Sequence, residues 1–387
     1  ILPQRSVVIR LQTSILDFYH AIFLGLMLIW SLKFSIIFER SLRIIVASLE
    51  ASKHPRVLKI AKTLLRYGYE VDIWEAPKIF TKIKHRLVRA FLRYSLAMIS
   101  LCVKKGDLYW VENVPDVLFI PLIFLRKRYI YDRRSPWSFQ VLYETGSRFL
   151  YLLSKFLEML SMRYSVAIVC VSRALALDSK RFQKPLYVIP NYPEEKFREL
   201  VKNDLRKRLA VPRKRKIFLY IGKLSKIEGT RLLEEVAKGL TGCEAQLWIV
   251  GDGPEREFVK ELERRYSPTV KWFGWVPRSM IPSFIAACDV GIVPREDIPY
   301  PYRLFYSHEG IHKIGEYLLF GKPVIASGIA PSKYYLLSNP KQLGETVRMI
   351  AEGRLKLNMV NEELSWENKC EQMVLKVVKD IESGEGL

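Results

Sequence analysis

The sequence predicts an α/β fold with two lobes, each built on a parallel β-sheet flanked by helices. Short apolar runs that end in polar residues recur along the chain, and helical patterns separate them, which is typical of doubly wound sheets. The 387 residues suffice for two domains of ordinary size. A charged stretch within residues 194–214 separates the two series of strands and predicts the lobe boundary.

The first predicted βαβ unit begins with a buried strand, Arg43–Ser48. Apolar residues at helical spacing from Val57 to Leu65 follow, Gly68 ends that helix, and a second strand covers Glu70–Trp74. Three later strands each end in polar residues, which the sheet geometry directs toward one edge. These strands are Leu108–Val111 before Glu112 and Asn113, Tyr129–Tyr131 before Asp132, and Val166–Val171 before Ser172.

The second lobe begins with the predicted strand Lys216–Ile221, and its most informative residue is Glu316. This carboxylate lies at the start of a predicted apolar helix, Tyr317–Phe320, which Gly321 and Pro323 end before a buried strand. A helix N-terminus at the carboxyl end of a parallel sheet favours phosphate. A carboxylate there can accept hydrogen bonds from ribose hydroxyls, so the sequence predicts a nucleotide site.

The net charge of +22 points to an anionic partner, and nucleic acid, an anionic membrane surface and anionic substrates all fit. A basic composition is also typical of some heat-adapted proteins. No spacing typical of RNA-binding motifs or zinc fingers occurs, which makes nucleic acid the least favoured partner. The five cysteines are far apart and predict free thiols in a reducing, cytoplasmic compartment. No HExxH, Asp-x-Asp or Cys/His cluster is present, so we expect neither a metal nor a cofactor.

Residues 1–41 form an apolar N-terminal extension before the first strand. Its uncharged run from Ala21 to Leu32 has only 12 residues, whereas a spanning helix needs about 20. With Lys33 reaching back to the interface, Ile15–Phe38 would be long enough. A membrane anchor, a monotopic helix, a packed helix and a translated extension upstream of the true start all remain open, but a cleaved signal peptide does not fit.

The segment Lys82–Ile99 predicts a basic amphipathic helix. Its apolar stripe comprises Ile83, Leu87, Phe91, Tyr94 and Met98, and Lys82, Lys84, Arg86, Arg89 and Arg93 occupy the rest. Such a helix could lie on anionic lipid or could dock on the first lobe with a solvated basic face.

An ordered series of motifs resembles one enzyme family. The series contains G-K-L-S-K-I-E-G from Gly222, G-D-G-P-E-R-E from Gly251, V-K-W-F-G-W-V-P from Val270, C-D-V-G-I-V-P from Cys288 and K-I-G-E-Y-L-L-F-G-K-P-V-I-A-S from Lys313. It resembles the retaining glycosyltransferases of the GT-B fold, family 4-like, which have two Rossmann-like lobes facing across a cleft. The resemblance implies an acceptor lobe over 42–200, a nucleotide-sugar donor lobe over 201–365, and a C-terminal helix, 366–387, that crosses back to the first lobe.

The same resemblance implies the site residues, with no metal among them. Those implied in catalysis are Glu316, Lys223 and Lys313. Those implied in donor binding are Gly222, Lys223, Lys226, Gly251, Asp252, Gly253, Glu296, His308, Glu309 and Glu316. Those implied at the acceptor side or in the cleft are Arg56, Asn113, Asp132 and Asn191.

The chain departs from the family pattern at three positions. Lys223 replaces an Arg, and Glu228 replaces a basic residue, so that Lys226 or Lys313 would have to compensate for the reversed charge. The first Glu of the E-x7-E signature falls on His308. A one-residue insertion would restore Glu309 in that role, but we favour a variant without the first Glu, in which Glu316 binds ribose.

The expected function is therefore a retaining glycosyltransferase that moves a sugar from a nucleotide sugar to a lipid-linked or membrane-proximal glycan. Its expected location is cytoplasmic, peripheral to the membrane or anchored by one span at its cytoplasmic face. A nucleotide-sugar epimerase on the same fold and a binding protein that has lost catalysis are the alternatives. Glu228 and His308 are the departures that keep the second alternative open.

Overall fold

The computed structural model describes residues 42–77, 85–113, 115–357, 360 and 362–384. The N-terminal extension, and Lys82, Ile83 and Lys84 of the predicted basic helix, lie outside these residues. In the part that the structure describes, no helix combines the length and the apolar character needed to cross a bilayer.

The first lobe contains a parallel sheet of six described strands in the order β2-β1-β3-β4-β5-β6. Apolar residues alternate between its two covered faces: Ile44 and Val46 pack on one side, and Ile45 and Ala47 pack on the other. Its strands are β1 (Arg43–Ser48), β2 (Glu70–Glu75), β3 (Leu108–Glu112), β4 (Tyr129–Arg133), β5 (Ala167–Cys170) and β6 (Leu186–Val188). Its helices are α1 (Pro55–Arg66), α2 (Arg86–Cys102), α3 (Phe119–Phe124), α4 (Trp137–Thr145), α5 (Arg148–Tyr164) and α6 (Arg173–Ser179).

The second lobe repeats this architecture with strand order β12-β11-β10-β7-β8-β9. Its described strands are β7 (Lys216–Ile221), β8 (Ala245–Val250), β9 (Val270–Trp272), β10 (Val290–Pro294), β11 (Val324–Ser327) and β12 (Leu336–Ser338). Its helices are α7 (Leu205–Arg208), α8 (Leu233–Leu240), α9 (Arg256–Arg265), α10 (Ile281–Ala287), α11 (His312–Leu319) and α12 (Leu343–Ala351). The two parallel sheets confirm the predicted two-lobe α/β fold.

The predicted start of the helix that carries Glu316 is wrong. The helix α11 begins at His312, so Glu316 lies in its middle and not at its N-terminus. Gly315 made the earlier residues look unfavourable for a helix. In the structure this glycine allows a close approach, since an added Cβ would lie 3.0 Å from Cδ of Pro193. Tertiary packing therefore extends the helix over a residue of low helix propensity.

The chain returns to the first lobe at its C-terminal end, through the helices α13 (Trp366–Lys369) and α14 (Glu371–Ser383). The indole of Trp366 donates a hydrogen bond to Thr63 of α1 at 3.0 Å, and Glu371 pairs with Arg66 at 2.7 Å. Apolar residues of α14 join the core between α1 and the sheet. The first sheet ends at Val188 and the second begins at Lys216, so the predicted lobe boundary falls within this connection.

The predicted apolar stripe of the basic helix is not the face that packs. In α2, Ala97 and Leu101 are buried against the sheet, whereas Phe91 is 70% exposed. The small and apolar residues near the C-terminal end of α2 thus make the core contact.

Candidate functional site

A cavity of about 570 Å³ lies between the lobes, at the carboxyl ends of both sheets. Parallel sheets place the loops that follow their strands at this edge, so side chains from many parts of the sequence converge there. The described lining includes six Lys or Arg residues and three Glu residues, which gives the cavity an excess of positive charge. These charged residues are Arg56, Arg134, Lys223, Arg278, Arg295, Lys313, Glu112, Glu228 and Glu316.

Glu316 faces this cavity from α11, and its side chain is only 5% exposed. Its Oε1 accepts a hydrogen bond at 2.6 Å from Nη2 of Arg278, which lies in the loop after β9. The Arg278 guanidinium is half-exposed and stacks over the Phe197 ring at 4.8 Å. The buried carboxylate is thus held by a cation that sequence reasoning did not single out.

Glu228, the reversed charge, is held between two cations. Its Oε1 accepts a hydrogen bond from Nη2 of Arg295 at 2.6 Å, and its Oε2 accepts one from Nζ of Lys313 at 2.7 Å. Burial raises the pKa of Glu228, but Arg295 and Lys313 outweigh burial and lower this pKa to about 2. Lys313 therefore compensates for Glu228, as expected, together with Arg295, which was not expected.

Arg295 is the most deeply buried cation of the donor-lobe wall, with 7% of its side chain exposed. Its guanidinium lies 4.5 Å from the Tyr306 ring centroid. Its Nε and Nη1 are buried and have no hydrogen-bond partner among the described residues. Buried N–H groups of this kind are costly unless a ligand or water accepts from them, so Arg295 is suited to hold an anion.

Gly222 brings the backbone close to this group of cations. An added Cβ would lie 2.6 Å from Nζ of Lys313, and its φ of +153° favours glycine. Gly251 packs behind Gly222, because a Cβ there would lie 1.9 Å from the Gly222 carbonyl oxygen. Gly251, Asp252 and Gly253 do not line the cavity, and they support the turn that does.

On the first-lobe wall, Arg56 is a fully bonded buried cation. Its Nε and Nη2 donate to the carboxylate of Asp132 at 2.8–3.1 Å, and its Nη1 donates to Ile189 O and to Asn191 Oδ1. Arg56 and Asn191 line the cavity, whereas Asp132 lies behind Arg56. These residues fix the wall, and the guanidinium has little capacity left for a ligand.

His54 and Glu112 form a second group on the same wall that the implied site did not include. His54 Nδ1 lies 2.8 Å from Glu112 Oε2, which also accepts from Ser48 at 2.8 Å. Burial raises the pKa of Glu112, but Arg134 and the His54 contact hold it below its usual range, so the carboxylate is ionised. Arg134 Nη1 lies 3.0 Å from the same His54 nitrogen. Because an ionised carboxylate must accept, we place the proton on Nδ1, which leaves Nε2 for a ligand.

The remaining implied site residues lie outside the cavity lining. His308 bonds to Ser332 and packs on Tyr334, and burial lowers its pKa to about 4. Glu309 accepts from the Arg173 backbone, while Asn113 bonds within its own loop to Arg134 and Ser135. Glu296 and Lys226 both contact Tyr143 of the first lobe. Glu309, Glu296 and Lys226 therefore join the two lobes.

His312, at the start of α11, is a further lining residue that was missed. Burial and the nearby cations Lys59 and Arg278 lower its pKa well below the usual range, so it is neutral. Among the described residues no group of three or more His, Cys, Asp or Glu side chains could hold a metal ion.

Residues 201–339 match the family model described as glycosyl transferases group 1. No curated protein sequence matches the chain significantly. Among solved structures, sucrose-phosphate synthase from Thermosynechococcus elongatus matches with a TM-score of 0.64 and 16% identity, over 89% of this chain and all of that one. HepE from Anabaena, in complex with UDP and glucose, matches with a TM-score of 0.61, 16% identity and the same coverage.

A third similar structure is α,α-trehalose 6-phosphate synthase from Burkholderia multivorans, with a TM-score of 0.61 and 13% identity over 89% of this chain and 99% of that one. At these identities the structural matches establish the fold, and the family model identifies the domain. The chain therefore carries a glycosyl transferases group 1 domain in its second lobe and has the GT-B fold, which confirms the predicted class of enzyme, a glycosyltransferase.

Proposed function

We propose that this glycosyltransferase transfers a sugar from a nucleotide-sugar donor to a membrane-proximal glycan acceptor with retention of configuration. The observation that carries the proposal is the cation-rich cavity between the lobes, in which Glu316 is one of only three described carboxylates. Glycosyl transfer creates a departing diphosphate and an oxocarbenium-like centre, and preorganised cations stabilise the former. The need for an anion site also fits the basic composition of the chain.

The donor occupies the second-lobe wall. Lys223, Lys313 and the unpaired Arg295 nitrogens neutralise the diphosphate, with the Gly222 backbone close enough to contact it. Glu316 accepts hydrogen bonds from the ribose through the oxygen that Arg278 leaves open. HepE has been solved with UDP and glucose and with UDP-glucose, which makes a UDP-sugar the first donor to test.

The acceptor lies against the first-lobe wall. His54 presents Nε2 to the acceptor hydroxyl, and Glu112 orients the imidazole through Nδ1. The lining carboxylates Glu228 and Glu316 are both engaged with cations, so we assign neither as a nucleophile. The departing phosphate is then the final proton acceptor. We assign no metal or cofactor to this reaction, and the reaction takes place at the cytoplasmic face of the membrane.

A panel of UDP- and GDP-sugars, scored first by thermal stabilisation and then by product, tests the proposal. We expect one donor to stabilise the chain, and its nucleoside diphosphate to be released only when a glycan acceptor is added. An epimerised sugar formed without acceptor would establish the epimerase alternative. Binding with no turnover across an acceptor panel would indicate a protein that has lost catalysis.

A further inference from the structure

The helix α5 (Arg148–Tyr164) exposes apolar side chains along one whole face. Phe149, Leu152 and Phe156 are 73%, 63% and 60% exposed, and Leu153 and Met159 are about half-exposed. Their spacing of three and four residues places them on a single stripe of the helix. A contiguous apolar stripe of this kind on a protein surface marks an interaction site.

The inward face of α5 is the more polar one. Glu158 is buried, pairs with Arg133 at 2.8 Å and accepts a hydrogen bond from Ser138 at 2.8 Å. Ser161 is also buried, and its carbonyl accepts from the Tyr129 hydroxyl at 2.7 Å. These contacts fix the rotation of α5, so its apolar stripe cannot turn into the core without loss of a buried ion pair.

Neighbouring helices extend the apolar surface. The helices α2 and α3 pack on the same side of the first sheet as α5, through one shared core. Phe91 and Ile99 of α2 and Phe124 at the end of α3 are 70%, 62% and 82% exposed. We call the exposed apolar residues of α2, α3 and α5 the outer face.

The charge around the outer face has one sign. Residues 85–165 contain thirteen Lys or Arg residues and six Asp or Glu residues. Four of these acids are buried, and only Asp107 and Glu144 are exposed. The cations include Arg148, Lys155 and Arg163 of α5 itself. Apolar side chains bordered by cations complement an anionic lipid surface.

We propose that the outer face docks on an anionic lipid bilayer, with the α5 stripe inserted at the level of the headgroups. The apolar extension favours this occupant. It reaches the described residues at Arg43, whose backbone N–H bonds to Asp107, close in sequence to the 73% exposed Val103 at the end of α2. The extension and the outer face can therefore meet the same membrane. This docking deepens the proposed membrane-proximal acceptor, but it does not depend on donor binding.

The test compares the full chain with the triple variant Phe149→Gln/Leu152→Gln/Phe156→Gln in vesicle sedimentation. The vesicles contain phosphatidylcholine with about one-third phosphatidylglycerol. Loss of three apolar side chains should lower the partition coefficient about 100-fold or more. The control Trp275→Gln removes a 72% exposed aromatic residue of the second lobe and should bind as the wild type does.

Each other occupant gives a distinct result that overturns the proposal. Undiminished vesicle binding of the triple variant would mean that another segment binds the membrane. A dimer in light scattering without lipid that the triple variant abolishes would identify a second copy as the occupant. A lower Tm of the triple variant without lipid would mean that the chain covers its own stripe. Donor affinity, measured in parallel by calorimetry, tests the proposed function separately.

Discussion

Arg278 Nη2 lies 2.6 Å from Glu316 Oε1, so the carboxylate expected to hold the ribose is already engaged with a cation. The two residues come from the loop after β9 and from the middle of α11. Glu316 is buried and Arg278 is half-exposed. The pair therefore fixes the direction of Glu316 before any ligand binds, which reduces the entropy that a ligand must supply.

Arg278→Met should weaken donor binding about tenfold, because Glu316 loses the group that orients it. It should also lower the free energy of unfolding by about 1–3 kcal/mol, since a buried carboxylate loses its partner. Calorimetry and urea unfolding measure these effects. Arg256→Met is the matched control, because Arg256 is equally exposed and pairs with Asp252 outside the cavity. Tighter donor binding by Arg278→Met would mean that Arg278 competes with the donor.

Glu228→Gln should make stability less dependent on acidic pH. The pKa of Glu228 is lowered to about 2 in the folded chain, so its stabilising contribution is complete above the unfolded value of about 4.5 and is lost as pH falls toward 2. Between pH 7 and pH 3 the wild type should lose about 2 kcal/mol more than the variant. Glu235→Gln, an exposed carboxylate of the same lobe, should follow the wild type. Parallel wild-type and Glu228→Gln curves would refute the assignment.

His54→Ala should lower kcat about 10- to 100-fold and leave donor affinity within about twofold of the wild type. The reason is that His54 faces the acceptor side and presents Nε2 to the reacting hydroxyl. Steady-state kinetics with the identified acceptor, together with donor calorimetry, separate the two effects. His85→Ala serves as the control, since His85 lies at the start of α2 outside the cavity lining. A parallel loss of donor affinity would move His54 to the donor side.

Lys59→Met should remove a rise of stability with pH. Lys59 is buried over the Trp366 ring and donates to the Tyr192 carbonyl, and burial lowers its pKa to about 7. Between pH 7 and about 10.5 the unfolded chain binds the proton more tightly, so wild-type stability should rise with pH over this window. From pH 7 to pH 9 we expect the wild type to gain up to about 2.5 kcal/mol relative to Lys59→Met.

Lys62→Met provides the comparison for Lys59→Met, because Lys62 is half-exposed on the same helix. Its urea unfolding should show the wild-type dependence on pH. If the Lys59→Met and wild-type curves differ by a constant amount across this range, Lys59 is not the titrating group.

The strands were predictable because a parallel sheet buries both faces, which leaves continuous apolar runs such as Lys216–Ile221 in the sequence. The polar residues after these runs predicted which edge carries the site. The partners within the site were not predictable. Lys313 and Glu228 are 85 residues apart, and Arg278 and Glu316 are 38 apart, so their pairing depends on loop geometry that periodicity does not encode.

The implied residues that lie outside the cavity show the same limit. The sequence placed His308 and Glu309 beside the signature, but the structure uses them against Tyr334 and Arg173. His54 was visible in the loop after the first strand, yet only the fold brings it within 2.8 Å of Glu112. A motif thus predicted the lobe and the edge, and tertiary contacts decided which side chains face the ligand.

Calorimetric titration of UDP and GDP into the wild type and Glu316→Ala tests the central claim most directly. Two hydrogen bonds from ribose hydroxyls to a carboxylate should make the Kd of Glu316→Ala about 100-fold weaker, with an unchanged Tm in the absence of ligand showing that the variant is folded. Equal affinity of the two proteins for the diphosphate that binds would contradict the account, because residue 316 would then play no part in holding the nucleotide.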